Sequence, residues 1–125
     1  MRRLFVLLLA LGFTIAAPAS TFDFVDNAVA VTAAAQTITV GTAARPMSSI
    51  VVDNTATGND VVYARLFRTG EAITPAAATD SGGYAIASGG ILNRSSEQNQ
   101  PGYVAVSLVC AGGDTATAKV WATAR

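Results

Sequence analysis

The sequence contains no histidine and only one cysteine, Cys110. Without histidine, Ser-His-Asp and Cys-His catalytic triads, His-ligated zinc sites and imidazole pH switches are excluded. A single cysteine cannot form an internal disulfide, a four-thiolate zinc site or an iron–sulfur centre. Charged residues are also scarce, at 13% of the chain against 51% hydrophobic residues, which is unlike a disordered polar chain. We expect no cofactor, no metal and no enzymatic activity.

The body of the chain also lacks the i, i+3, i+4, i+7 apolar spacing of an amphipathic helix. Short segments rich in Val, Ile, Thr and aromatic residues alternate instead with Gly, Asn, Asp and Pro. This pattern is typical of a β-sandwich or small barrel. Because 125 residues hold one domain, we predict a single all-β domain over residues 28–125, an antiparallel β-sandwich or jelly-roll-like domain. The strands are predicted near 28–32, 36–40, 49–54, 61–68, 83–87, 90–93, 103–110 and 116–123.

The N-terminus carries the one long uncharged apolar run, residues 4–16, which follows Arg2 and Arg3 and precedes Ala17-Pro18-Ala19. A basic start, a short apolar middle and an A-x-A exit are the three parts of a secretory signal peptide. The run is shorter than the roughly 20 residues that a membrane-spanning helix needs. We predict that residues 1–19 are a signal peptide, or alternatively a hydrophobic N-terminal arm, and that 20–27 are a flexible lead-in. The domain is then exported to the periplasm or the extracellular space, with no stable membrane span after cleavage.

Nucleic acid is not expected as a partner. Cleavage after Ala19 removes two of the eight basic residues and leaves six against eight acidic ones, a formal charge of −2. The remaining basic residues are scattered along the sequence. Such a body has no electrostatic reason to bind DNA or an anionic membrane.

The last two predicted strands have the clearest period-two pattern. A turn centred on Gly113 would pair Leu108 with Ala118 and Val106 with Val120, so that aliphatic side chains meet on one face. A second hairpin around Thr57 would pair Val52 with Val62 and Ile50 with Ala64. These patterns predict a core made of Ile50, Val52, Val62, Leu66, Val104, Val106, Leu108, Cys110 and Val120.

Aromatic residues lie on the opposite faces of the two predicted hairpins. Exposed rings on a flat sheet make a contact surface for another subunit or stack on sugar rings. The same rings are simply core if they face the second sheet, and the sequence does not say which face is inside. The interface candidates are Trp121, Tyr103, Tyr63 and Phe67.

The segment from Asp53 to Asp60 gathers oxygen-bearing side chains in one loop, which is a feature of calcium sites. Its spacing does not match an EF-hand, and Asn and Asp also make turns without any metal, so we favour the turn. Cys110 is predicted to be a buried, inert thiol, because no histidine is present to act as its base. An intermolecular disulfide is the alternative role for this cysteine.

The strand pattern and composition from about Ala28 to Arg125 resemble those of small bacteriophage virion proteins, the β-sandwich modules that decorate capsids or lie at head and tail joints. The resemblance implies a structural, oligomeric, non-enzymatic protein whose partner is itself or a larger protein assembly such as a virion. A secreted module that binds carbohydrate or a cell-surface protein is the alternative. The segments that carry the resemblance are Thr39-Val40, Ser48-Ser49-Ile50-Val51-Val52-Asp53-Asn54, Val61-Val62-Tyr63-Ala64-Arg65 and Gly102-Tyr103-Val104-Ala105-Val106.

Overall fold

The computed structural model describes residues 23–77 and 83–124, so the predicted signal peptide or arm lies outside the described residues. This part of the chain is all-β, and none of its segments is a helix long and apolar enough to cross a membrane. The strands are β1 Phe24–Val31, β2 Gln36–Thr39, β3 Met47–Asp53, β4 Val62–Arg68, β5 Tyr84–Ile86, β6 Ile91–Ser95, β7 Tyr103–Val109 and β8 Ala116–Ala124.

All strand pairs are antiparallel and belong to one hydrogen-bonded network. A single residue pair, Met47 with Tyr103, joins β3 to β7. On either side of this link lie two four-stranded halves, which we call the β8 sheet (β1-β8-β3-β6) and the β7 sheet (β2-β7-β4-β5). This strand order is that of a jelly roll, in which two Greek keys fold into facing sheets.

The core lies between the two sheets. Leu108 and Val106 from β7 are fully buried against a cluster that also includes Val120, Ile50 and Val52 from the β8 sheet. Small residues on β8 let the sheets approach closely. The other buried members of the cluster are Val29, Val31, Val40, Met47, Val62, Ala64, Ile86, Tyr103, Cys110, Ala116, Ala118 and Ala122, with Leu66 partly buried against it.

The two predicted hairpins are wrong, although their turns exist. Gly113 has a positive φ of 85° and the amide of Asp114 donates to the carbonyl of Ala111, so the chain does reverse between β7 and β8. The turn connects strands of opposite sheets, and β8 pairs with β1 and β3 instead. The connection around Thr57 likewise crosses between the sheets, since β3 pairs with β8 and β6. Strands that face each other across a core bury the same alternate residues as strands paired edge to edge, so periodicity alone does not separate the two arrangements.

The sheet begins earlier than predicted. Residues 24–27, assigned to a flexible lead-in, form the first half of β1, where Phe24 pairs with Ala122 and Val25 with Trp121. Asp23 is also held, because its carboxylate accepts a hydrogen bond from the Ala124 amide and forms an ion pair with Arg45. Since β8 extends to Ala124, it gives the start of β1 a partner.

Truncating a core side chain tests the packing. Leu108 is 0% exposed, so Leu108→Ala should lower the free energy of unfolding by about 2–5 kcal/mol through lost transfer energy and the cavity left behind. Ile91→Ala is the matched control, because Ile91 is 57% exposed and its truncation should change stability by roughly 0.5 kcal/mol or less. Urea denaturation of the two variants and the parent measures the difference, and equal midpoints for both variants would contradict the fold.

Candidate interaction surface

The four aromatic interface candidates do not share one surface. Trp121 is half-buried on the outer face of the β8 sheet, and Tyr63 is half-buried on the outer face of the β7 sheet. Tyr103 and Phe67 are only 4% and 3% exposed. Tyr103 and Phe67 are therefore buried, which is the second of the two arrangements that the sequence left open, and they do not join Trp121 on an accessible surface.

A β-bulge explains the burial of Tyr103. Phe67 pairs with Ala105, but the next residue, Arg68, pairs with Tyr103, so Val104 is an extra residue in β7. The bulge interrupts the alternation of the strand, so that Tyr103 joins the core cluster while Val104 is half-buried and outside that cluster. This corrects the prediction of Val104 as a core residue.

Arg68 covers the end of the core at Tyr103. Its guanidinium lies 4.7 Å from the centre of the Tyr103 ring and donates to the phenol oxygen at 3.2 Å and to the carbonyl of Pro101 at 2.8 Å. A guanidinium over an aromatic face is an attractive cation–π arrangement. The Tyr103 ring is thus covered by a side chain of its own subunit and is not available to a partner.

Phe67 is buried because the chain after β4 folds back over the outer face of the β7 sheet. The amide of Ala76 donates to the hydroxyl of Ser107 at 3.0 Å, and Arg65 donates to the hydroxyl of Thr74 at 2.8 Å. Ser107 is fully buried, and Phe67 pairs with the equally buried Ala105 beneath this cover. The outer face of the β7 sheet is therefore largely used within the subunit.

The outer face of the β8 sheet carries an apolar row that crosses its strands. Val25 of β1 lies opposite Trp121 of β8, and Trp121 lies opposite Val51 of β3. Val25 is 47% exposed, and Ile91 on β6, near Val51, is 57% exposed. We call these four residues the apolar row; small or polar residues surround it, among them Ala30, Ser49, Asn93, Ser95, Thr117 and Thr123.

This face has almost no net charge. Its one acid, Asp53, lies directly opposite its one base, Lys119, on paired strands. Depletion of charge around an apolar centre is the composition of protein interface cores. The indole Nε1 of Trp121 donates to Asn27 at 3.3 Å, which positions the ring along the sheet.

The side chain of Thr55 holds the carboxylate of Asp53 in its ionised form. The hydrogen bond from the Thr55 hydroxyl lowers the pKa of Asp53 below its ordinary 3.8, burial opposes this shift, and the Thr55 amide and the charge of Lys119 support it. The ionised carboxylate thus fixes the start of the loop between β3 and β4.

Two buried asparagines tie together the loops at one end of the sandwich. The side-chain amide of Asn54 donates to the carbonyls of Asp60, Ile86 and Ala87 at 2.9–3.2 Å. Its oxygen accepts from Asn59 at 2.8 Å. Asn54 is 0% exposed, so the loop between β3 and β4 is held to the end of β5 by a buried, fully paired side chain.

Asn59 extends this network to β8. It donates to the carbonyl of Thr117 at 2.9 Å and accepts from the Thr117 amide at 2.8 Å, while Asp60 accepts from the Thr115 amide. The oxygen-rich loop considered for calcium thus uses its side chains within the protein, as a turn would. Among residues 23–77 and 83–124, no group of three or more His, Cys, Asp or Glu is placed to hold a metal ion.

Cys110 lies at the end of β7 and is 1% exposed. Burial is the main cause that raises the pKa of its thiol, and the nearby carboxylates of Asp114 and Asp60 raise it further. A buried thiol that stays protonated is a weak nucleophile.

Sequence reasoning missed Val25 and Ile91 as surface residues and Asn54 and Asn59 as structural ones. Val25 lies in the segment that we assigned to the lead-in. The adjacent apolar residues Phe24 and Val25 were the signal that could have placed this segment in a strand. The two asparagines lay in a loop that turn chemistry already explained.

Comparison with known proteins gives no relative. No protein-family model matches the chain, and neither a curated protein nor a solved structure matches it.

Removing the asparagine network should destabilise the loop end. Asn54→Ala removes the side chain that bonds the carbonyls of Asp60, Ile86 and Ala87 and the side-chain amide of Asn59, and we expect the free energy of unfolding to fall by about 2–4 kcal/mol. Asn93→Ala, at an exposed asparagine on β6, is the control and should change it by about 0.5 kcal/mol or less. Chemical denaturation measures both, and a neutral Asn54→Ala would show that the network contributes nothing.

The lowered pKa of Asp53 gives a pH dependence with a definite sign. Because the pKa is depressed in the folded state, its stabilising contribution is present above the unfolded pKa and is lost as the pH falls through the folded pKa, below about 4. Asp53→Asn should cost roughly 1–2 kcal/mol at pH 7 and flatten the loss of stability towards acid pH. Urea midpoints of the parent and the variant at pH 7, 5 and 3 test this, and an Asp53→Asn variant that loses as much stability towards pH 3 as the parent would contradict it.

Proposed function

We propose that this chain is a non-enzymatic structural module, exported or built into a virion, that packs into a larger protein lattice through the outer face of its β8 sheet. The observation that carries the proposal is the difference between the two outer faces. The chain after β4 covers the outer face of the β7 sheet at its central strand, whereas the apolar row on the β8 sheet stays accessible, with Val25 and Ile91 about half exposed. An accessible apolar row within an almost uncharged face favours contact with another protein surface.

The jelly-roll arrangement is compatible with this role. The fold occurs in viral capsid domains and also in lectins and cupins, so the argument for function rests on the surface and not on the topology. The outer face of the β8 sheet suits lateral packing of identical or similar modules. A decorating or minor structural protein of a phage virion is the assembly that we favour.

Trp121 is the expected anchor of this contact. Large aromatic residues near the centre of an interface carry much of its binding energy. Trp121→Ala should raise the dissociation constant for self-association by about 30-fold, because truncation of such a residue costs about 2 kcal/mol. Thr39→Ala, at an exposed position on β2 of the other sheet, is the control and should leave association unchanged.

Sedimentation over a range of concentrations measures this on the protein as isolated, after its intact mass has shown whether residues 1–19 are present. A strict monomer at high concentration, unaffected by Trp121→Ala, would contradict self-assembly.

A second candidate is a secreted module that binds carbohydrate. A depression of about 350 Å³ at the loop end is lined by Thr32, Thr57, Thr115 and Thr117 together with Gly58 and Asn59. Hydroxyl groups in a shallow depression suit a neutral, polyhydroxylated ligand. A saturable response on a glycan array would favour this candidate, whereas the assembly module should give none.

A further inference from the structure

The edge of the β8 sheet formed by β6 has a regular pattern of outward-directed backbone groups. In the described part of the chain, β6 pairs only with β3. At the two ends of this ladder, the Ser96 amide donates to the Ser48 carbonyl and the Asn54 amide donates to the Gly90 carbonyl. Both are even-numbered pairs in an unbroken register, so the hydrogen bonds to β3 come from the even positions of β6. The amides and carbonyls of Ile91, Asn93 and Ser95 therefore point away from the sheet.

The other edges are less suited to pairing. β1 has a bulge between Asp26 and Val29, β2 is four residues long and β5 is three. Short edge strands and bulges are the usual ways in which proteins prevent pairing between sheets. β6 has five residues, no proline and an unbroken ladder, and its side chains at positions 91, 93, 94 and 95 are exposed.

The one charge on β6 is turned away from this edge. The guanidinium of Arg94 lies 4.6 Å from the centre of the Tyr84 ring and donates to its hydroxyl at 2.8 Å, so it bridges to β5 of the other sheet. It does not act as the outward-pointing guard charge found on many edge strands.

We propose that β6 pairs with β6 of a second copy of this chain, antiparallel and centred on Asn93, so that two β8 sheets form one continuous sheet. The inference rests on the proposed assembly function and gives it a geometry. A two-fold axis at Asn93 places Ile91 opposite Ser95 of the partner subunit, and each outward amide then meets a carbonyl. It also places Arg94 opposite Leu92 of the partner subunit, so the two arginines are not directly opposed. The apolar rows of the two copies then lie on the same side of the joined sheet.

A second copy of the chain can supply hydrogen-bond partners for the outward amides and carbonyls of β6. An isologous contact needs no other partner, because the same five residues provide both halves of the ladder. A pairing of single edge strands buries little area and is expected to be weak alone, which suits a module held by several contacts in a lattice.

Amide hydrogen exchange on the full, unmodified protein tests the proposal directly. As the concentration rises through the range in which mass increases, exchange at Ile91, Asn93 and Ser95 should slow by roughly tenfold or more. The even positions 92, 94 and 96 bond β3 at every concentration and serve as internal controls. Larger particles in which the three odd amides still exchange as fast as in dilute solution would overturn edge pairing and leave assembly through the apolar row intact. A monomer at every concentration would overturn both.

A proline at the centre of the edge gives a second test. Asn93→Pro removes an amide that β3 does not use, so the fold should survive while the association weakens by about 10-fold or more. Asn93→Thr keeps the amide at the same exposed position and should associate like the parent. Circular dichroism and thermal unfolding check that the proline variant is folded. Association of the folded proline variant equal to that of Asn93→Thr would overturn the proposal.

Discussion

The structure depends on the burial of the inner residues of β7 and β8 against each other across the two sheets. Each of these strands is central in its own sheet, with β2 and β4 beside β7 and β1 and β3 beside β8. Their alternate aliphatic side chains are fully buried, and alanines on β8 keep the sheets close. The strands β1 to β4 are hydrogen bonded directly to these two, and β5 and β6 are attached through β4 and β3.

Hydrogen bonds of two asparagines among the loops at one end of the sandwich add a polar constraint to the packing of the apolar core. Asn54 satisfies three carbonyls from other segments, and Asn59 bonds both backbone groups of Thr117. A buried polar network is stabilising only when every member is paired, and no buried side-chain nitrogen or oxygen of the described residues lacks a partner. The crossover between β3 and β4 is thus bonded both to the end of β5 and to β8, one strand from each sheet.

The proposed function rests on an asymmetry between the sheets. The outer face of the β7 sheet is covered by its own chain at the central strand, since the Ala76 amide of the segment after β4 bonds the hydroxyl of the buried Ser107. The β8 sheet keeps an accessible outer face with the apolar row and an edge at β6 whose odd-numbered backbone groups point outward. The outer face of the β8 sheet and its β6 edge meet at Ile91. One module therefore has contact surfaces in two directions, and a lattice requires more than one such direction.

The sequence alone determined the all-β class and located each of the eight strands, since a two-residue period and turn residues are local signals. It also placed Ile50, Val52, Leu108 and Val120 among the residues predicted to form the core, all of which are buried in the structure. Only the tertiary structure decided which strands pair, because facing strands and paired strands bury the same alternate residues. It likewise decided that Tyr103 lies in the core and Val104 does not. One extra residue in β7 shifts the alternation of its side chains, and no local feature of the sequence predicts that bulge.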